Sequence, residues 1–117
     1  MNLFKFILIL LSICSLNVFA STQEDEINHL LRFIASTDCQ YERNGNLYNG
    51  REAVEHIKKK YQYYSDDIES SEDFIKYSAT KSKISGKYYK IHCTDKAVVK
   101  SKNWLLTELT VYRETQK

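Results

Sequence analysis

A short stretch of the chain carries side chains whose types and spacing suit chemistry on an anion. Arg43 precedes an Asn44-Gly45 turn signal, and Glu52, His56 and Lys60 follow at successive helical i, i+4 steps. A guanidinium offers paired donors and a charge that does not titrate. Beside a histidine and a lysine it suits a carboxylate or phosphate group. Ser82 and Ser85, just ahead of Gly86, add two hydroxyls. Arg43, Asn44, Glu52, His56, Lys60, Ser82 and Ser85 are therefore the candidate ligand-binding residues, on the condition that the elements carrying them pack together. The plainer alternative is a structural network, with Arg43 satisfying backbone carbonyls and Glu52 pairing with His56 along the helix. The spacing alone favours that alternative.

Two other chemistries draw on the same residues. Glu52-x-x-x-His56 places two metal-ligating types on one helical face, with His29 or His92 as a distant third. The H-E-x-x-H spacing of metalloproteases is absent. Ser82 or Ser85 as a nucleophile would need His56 as base and Asp38 or Asp73 as orienter. There is no G-x-S-x-G elbow, and serines beside a glycine are explained by turn hydroxyls. The reading assigns no catalytic residue, no metal and no cofactor. Lys81, Lys83, Lys87, Lys90, Lys96, Lys100 and Lys102 face only Asp95 between Ala79 and Asn103. Such a run is usually a solvated surface, and in an exported protein it also suits an anionic envelope component. Tyr61, Tyr63, Tyr64 and Tyr77 are expected to cluster, with Tyr63 and Tyr88 the more exposed rings.

The elements that must position these residues follow from periodicity. A first helix starts near Thr22, with Ser21-x-x-Glu24 as its capping box and Ile27, Leu30, Leu31 and Ile34 as its buried face. It ends near Ser36-Thr37. Cys39 to Arg43 reads as a short extended piece. A second helix runs from about Gly50 to Tyr64, capped by Asn49-x-x-Glu52. A polar loop from Ser65 to Ser71 keeps Ile68 as an inward anchor. A third helix, capped by Ser70 or Ser71, buries Phe74, Ile75 and Ala79. Tyr88 to Cys93 alternates as a strand, with Ala97 to Lys100 pairing back. Ser101 caps a last helix to about Arg113. The expected fold is α+β, with about four helices packed on a small antiparallel sheet.

Met1 to Ala20, MNLFKFILILLSICSLNVFA, has a basic start, an apolar middle and a short-residue end. This is the layout of a secretory signal peptide, with cleavage expected between Ala20 and Ser21. The apolar run is short for a membrane anchor, and Ile13 is bulky for a lipid-attachment motif at Cys14. Residues 21–117 are then expected to form one small globular domain. Cleavage would remove Cys14 and leave Cys39 and Cys93. An even pair in an oxidising compartment reads as a disulfide, worth roughly 4 kcal/mol by loop closure. Free thiols or metal ligands are the competing readings, though no C-x-x-C spacing supports zinc. The whole chain sets 17 basic against 15 acidic residues, for a net charge of +2. That balance argues against a nucleic-acid binder, and the composition argues against disorder or a multi-pass membrane protein.

In order along the chain stand Arg43-Asn44-Gly45, Glu52-Ala53-x-x-His56, Lys60, Glu72-Asp73-Phe74-Ile75 and Ser82-x-x-Ser85-Gly86-Lys87-x-Tyr89. Trp104-Leu105-Leu106 and Tyr112-Arg113 close the series. This order resembles the YfeK-like family of small exported bacterial proteins, a domain of unknown function. Family members usually carry proline after Ser-Gly-Lys, where this chain has Tyr88. Cys39 and Cys93 sit where many members have cysteines. The resemblance implies a signal peptide and a periplasmic or secreted location, and it implies no activity. The reading that follows is a non-enzymatic binding or interaction module of the bacterial cell envelope. Its partner would be an envelope component or another protein, not nucleic acid, and no membrane segment would remain after signal removal. The alternative is a small hydrolase or transferase using an Arg43/His56 polar pocket. Oligomeric state and process stay unassigned.

Overall fold

The computed structural model describes residues 22–117. The expected signal segment, its Ala20/Ser21 cleavage point and Cys14 lie outside the described residues. Helix α1, Gln23–Ser36, begins one residue later than the Ser21 box would set it. Thr22 is the cap: its side chain accepts from the Asp25 amide, and the Asp25 carboxylate accepts from the Thr22 amide. Both registers satisfy the cap pattern, and the observed one still keeps Glu24, Asp25 and Glu26 in the first turn, where the helix dipole favours them. Ile27, Leu30, Leu31 and Ile34 are buried as the period requires.

Strands β1, Gln40–Arg43, and β2, Asn46–Tyr48, form a hairpin. Its two-residue turn holds Asn44 at φ 52° and Gly45 at φ 82°, the paired positive values that suit a tight hairpin and that asparagine and glycine tolerate. β2 was not expected from sequence, because three residues are too few to show an alternation. Helix α2, Gly50–Tyr63, carries the Asn49/Glu52 capping box. A Cβ on Gly50 would stand 2.1 Å from the Ile34 carbonyl oxygen, so only glycine lets α2 start against the end of α1. A 3-10 turn, Ser65–Asp67, leads to helix α3, Ser71–Ser78, capped by Ser70. Ile68 is buried between them.

The strand expected over Tyr88 to Cys93 is shorter: β3 spans Lys90–His92 and pairs with β4, Val99–Lys100. Tyr88 pairs outside the sheet, in an isolated bridge with Lys81. Helix α4, Ser101–Thr115, is the second departure in capping. Lys100 holds the cap position, with no side-chain cap. Ser101 is fully buried and shares a hydrogen bond with the Tyr41 hydroxyl, so its oxygen is turned into the core.

The sheet is antiparallel in the order β2-β1-β3-β4, and the expected α+β class holds. Tyr41 and Ile91, paired across the centre, point into the core with Ile57, Phe74, Leu105 and Leu109. Each such fully buried apolar side chain contributes about 1.5–3 kcal/mol. At the far side Arg113 donates to Glu26, at 2.7 Å and 3.0 Å, and to Glu72, at 3.0 Å and 2.9 Å, tying α4 to α1 and α3. No described helix is long and apolar enough to cross a membrane.

Cys39 and Cys93 are bonded, joining the lead-in of β1 to the exit of β3 across 54 positions of chain. Since the two strands already pair, the bond mainly restricts the unfolded chain. Reduction should therefore lower unfolding free energy by about 2–4 kcal/mol and leave the folded secondary structure intact. Urea titrations with and without reductant, read by circular dichroism, check this.

Candidate functional site

His56, Lys59, Lys60 and Tyr63 fall at i, i+3, i+4 and i+7 of α2 and so share one helix face. Opposite them runs the loop between α3 and β3, with Ser82, Lys83, Ile84 and Ser85. The end of β1 supplies Arg43 and the hairpin turn supplies Asn44. Between these elements lies a cavity of about 450 Å³. Its wall includes Arg43, Asn44, His56, Lys60, Ser82 and Ser85, together with Lys59, Lys83 and Tyr89. That volume is in the range of small-molecule sites.

The loop is held by its own hydroxyls. The Ser82 Oγ accepts from the Ser85 amide at 3.3 Å, and the Ser85 Oγ donates to the Asn44 Oδ1 at 2.7 Å. Gly86, at φ 71°, closes the turn by donating to the Ser82 carbonyl. Ser85 thus fastens the loop to the β1–β2 hairpin. No hydrogen bond joins either serine to His56, and Asp73 accepts from the Glu69 amide at the head of α3. The serine–histidine–aspartate arrangement is not formed.

At the cavity floor the Lys60 Nζ donates to the Lys81 carbonyl at 2.7 Å and to the Tyr89 hydroxyl at 3.1 Å. The Tyr89 hydroxyl also meets His56 Nε2 at 3.1 Å. An ammonium has only protons to give, so the tyrosine oxygen accepts from Lys60 and its own proton goes to neutral His56. Burial and three neighbouring cations keep that imidazole neutral. Burial comes first, then the charges of Arg43, Lys60 and Lys59, and together they lower its pKa from 6.5 to about 4. Burial, and then Arg43, also lower the pKa of Lys60. Burial raises that of Tyr89, so the hydroxyl keeps its proton. Arg43 is half-buried, its guanidinium 4.8 Å from the centre of the Tyr48 ring. Among the described residues it has no carboxylate within ion-pair distance.

Glu52 is the correction to the candidate set. It is exposed, caps α2 through Asn49, and does not line the cavity. The Glu52–His56–Lys60 ladder is therefore not formed: the carboxylate turns back to the N-terminus, whereas His56 and Lys60 turn to Tyr89. The distant histidines are also engaged elsewhere, His29 with Glu108 at 2.6 Å and His92 with Glu42 at 2.7 Å. Among the described residues no cluster of His, Cys, Asp and Glu is placed to hold a metal ion. Sequence reasoning missed Lys59 and Tyr89 as lining residues, and it placed Lys83 in the basic run without joining it to this site. Helical steps from His56 point to Lys59. The alternation of Tyr89 marks a core residue, and its side chain is indeed buried, with the hydroxyl meeting Lys60 and His56.

The chain matches a family model described as a family of unknown function, DUF5329, over residues 21–113. It is also similar to the uncharacterised protein YfeK of Salmonella typhimurium (strain LT2), with 37% identity over 68 residues. That alignment covers 57% of this chain and 57% of the relative, so the matched stretch spans little more than half of either protein. No solved structure matches the chain. With the family model running from the residue before the α1 cap into the last turns of α4, the chain belongs to DUF5329, a YfeK-like family of unknown function.

Proposed function

We propose that this protein is a non-enzymatic binding module of the bacterial cell envelope that holds an anionic group, carboxylate or phosphate, in the Arg43–Lys60–Tyr89 cavity. One observation carries the reading. Arg43, Lys59, Lys60 and Lys83 converge on a single concavity that, among the described residues, no carboxylate lines. Like charges gathered in a partly desolvated site repel, and the lowered pKa values of His56 and Lys60 record that cost. A bound anion would offset it. The donors are already oriented, Arg43 by its seat over Tyr48 and Lys60 by the Lys81 carbonyl, so little ordering is left to lose on binding. The second reading, a small hydrolase or transferase at this same site, draws on neutral His56 as a proton acceptor behind the Tyr89 hydroxyl.

The location belongs to the same proposal: residues 1–20 act as an export signal and the mature chain starts at Ser21. Intact-mass measurement on protein recovered from a periplasmic fraction should give a chain beginning at Ser21 with both cysteines oxidised. A mass that retains Met1 to Ala20 contradicts it.

Sulfate keeps a constant charge near neutral pH and is a suitable probe. Calorimetry should show saturable sulfate binding that Arg43→Ala weakens about ten- to a hundredfold, the worth of a hydrogen bond to a charged group. The melting temperature of the variant without sulfate should barely move. Phosphate or carboxylate esters that are bound but returned unchanged support the binding module, whereas turnover lost in His56→Ala supports the enzyme.

The pH dependence has a definite sign. The folded pKa of His56, about 4, lies below its ordinary 6.5, so the unfolded chain takes up the proton first as pH falls. The stability contributed by neutral His56 is complete above pH 6.5 and is lost as pH falls towards 4. Urea midpoints should decline over that window, and His56→Gln should flatten the decline relative to the parent protein.

A further inference from the structure

We infer that the anion this cavity receives is one unit of a linear acidic polysaccharide, whose next charged unit lies in an adjoining basic concavity. The inference rests on the anion-binding reading of the Arg43 cavity. A second concavity of about 430 Å³ shares Lys60, Tyr64 and Lys83 with the first and continues past them to Lys76, Lys81 and Lys102. Among the described residues no carboxylate lines it either. The ion pairs among the described residues are made by His29, His92, Arg113 and Lys117, none of which lines either concavity.

Lys60, Lys76 and Lys83 sit by tyrosine rings instead. Lys83 Nζ lies 5.8 Å from the centre of the Tyr63 ring and 5.5 Å from that of Tyr64. Lys76 lies 5.2 Å from Tyr77. Cations held on aromatic faces keep their charge available to an incoming anion, since no carboxylate competes for it. Tyr63 is 76% exposed, and with half-exposed Tyr88 it leaves apolar ring surface open between the charges. Alternating charge and aromatic surface matches a sugar chain, in which each ring presents an apolar face and an acidic substituent. A single small anion fills one concavity. A polymer with acid groups on successive units fills both, and the second contact then forms at high effective concentration.

Calorimetry on the oxidised full-length mature protein with galacturonate and its linear oligomers tests this. Affinity should rise about a hundredfold from the monosaccharide to short oligomers and then level off. The double variant Lys76→Ala/Lys102→Ala should abolish that rise yet bind sulfate and galacturonate as before. Flat affinity with length, alongside Arg43-dependent sulfate binding, overturns the inference and spares the anion site. Loss of sulfate binding as well overturns both. Inorganic polyphosphate binding as tightly as a galacturonate oligomer of equal charge shows that charge alone is read, and it overturns the polysaccharide assignment.

Discussion

Tyr89 is the residue on which the rest of the structure depends. Its ring is buried in the core, 6.0 Å from that of Tyr41 across the sheet. Its amide donates to the Thr80 carbonyl just beyond α3, and its carbonyl accepts from the Ser101 amide at the start of α4. One residue thereby fixes where two helices meet the sheet. The same side chain then passes through the core and sets its hydroxyl between Lys60 and His56. The cavity floor is thus an extension of the core, as rigid as the packing beneath it.

That construction explains how a cluster of cations is held where no carboxylate of the described residues lines the cavity. The ends of Arg43 and Lys60 cannot relax into water without giving up the Tyr48 face and the Lys81 carbonyl, respectively. The stability needed to hold them comes from elsewhere in the molecule. The disulfide joins the two central strands, and Arg113 clamps Glu26 and Glu72 on α1 and α3, lowering the pKa of both carboxyls through its hydrogen bonds. Opposite charges therefore cancel on one part of the surface and like charges gather on another. An asymmetry of this kind attracts anions to the basic side.

Much of the scaffold was legible in the sequence, because it rests on local rules. The i, i+3, i+4 apolar spacing of Ile27, Leu30, Leu31 and Ile34, the Asn49/Glu52 cap and the Asn44-Gly45 turn each act within a few residues and hold in the structure. The Cys39–Cys93 bond was legible from the even pair of cysteines that follows the expected signal segment. What escaped depends on long-range packing. The three residues of β2 form a strand only because β1 lies beside them. Ser101 looks like a cap, yet a buried Tyr41 hydroxyl needs a partner and takes its side chain inward. Glu52 suits both the site and the cap by its spacing, and a single carboxylate cannot serve both ends of its helical turn. Tyr89 obeys the alternation of a core strand, and nothing in a one-dimensional pattern tells that its hydroxyl meets Lys60 and His56.

The central claim is that a partly desolvated cluster of cations receives an anion, and the titration of the His56 imidazole tests it most directly. It is to be followed by nuclear magnetic resonance in anion-poor buffer and again with added sulfate. The account predicts a midpoint near pH 4 without sulfate, moving upward as the anion neutralises Arg43 and Lys60. A midpoint at the ordinary 6.5 that does not respond to sulfate would contradict it.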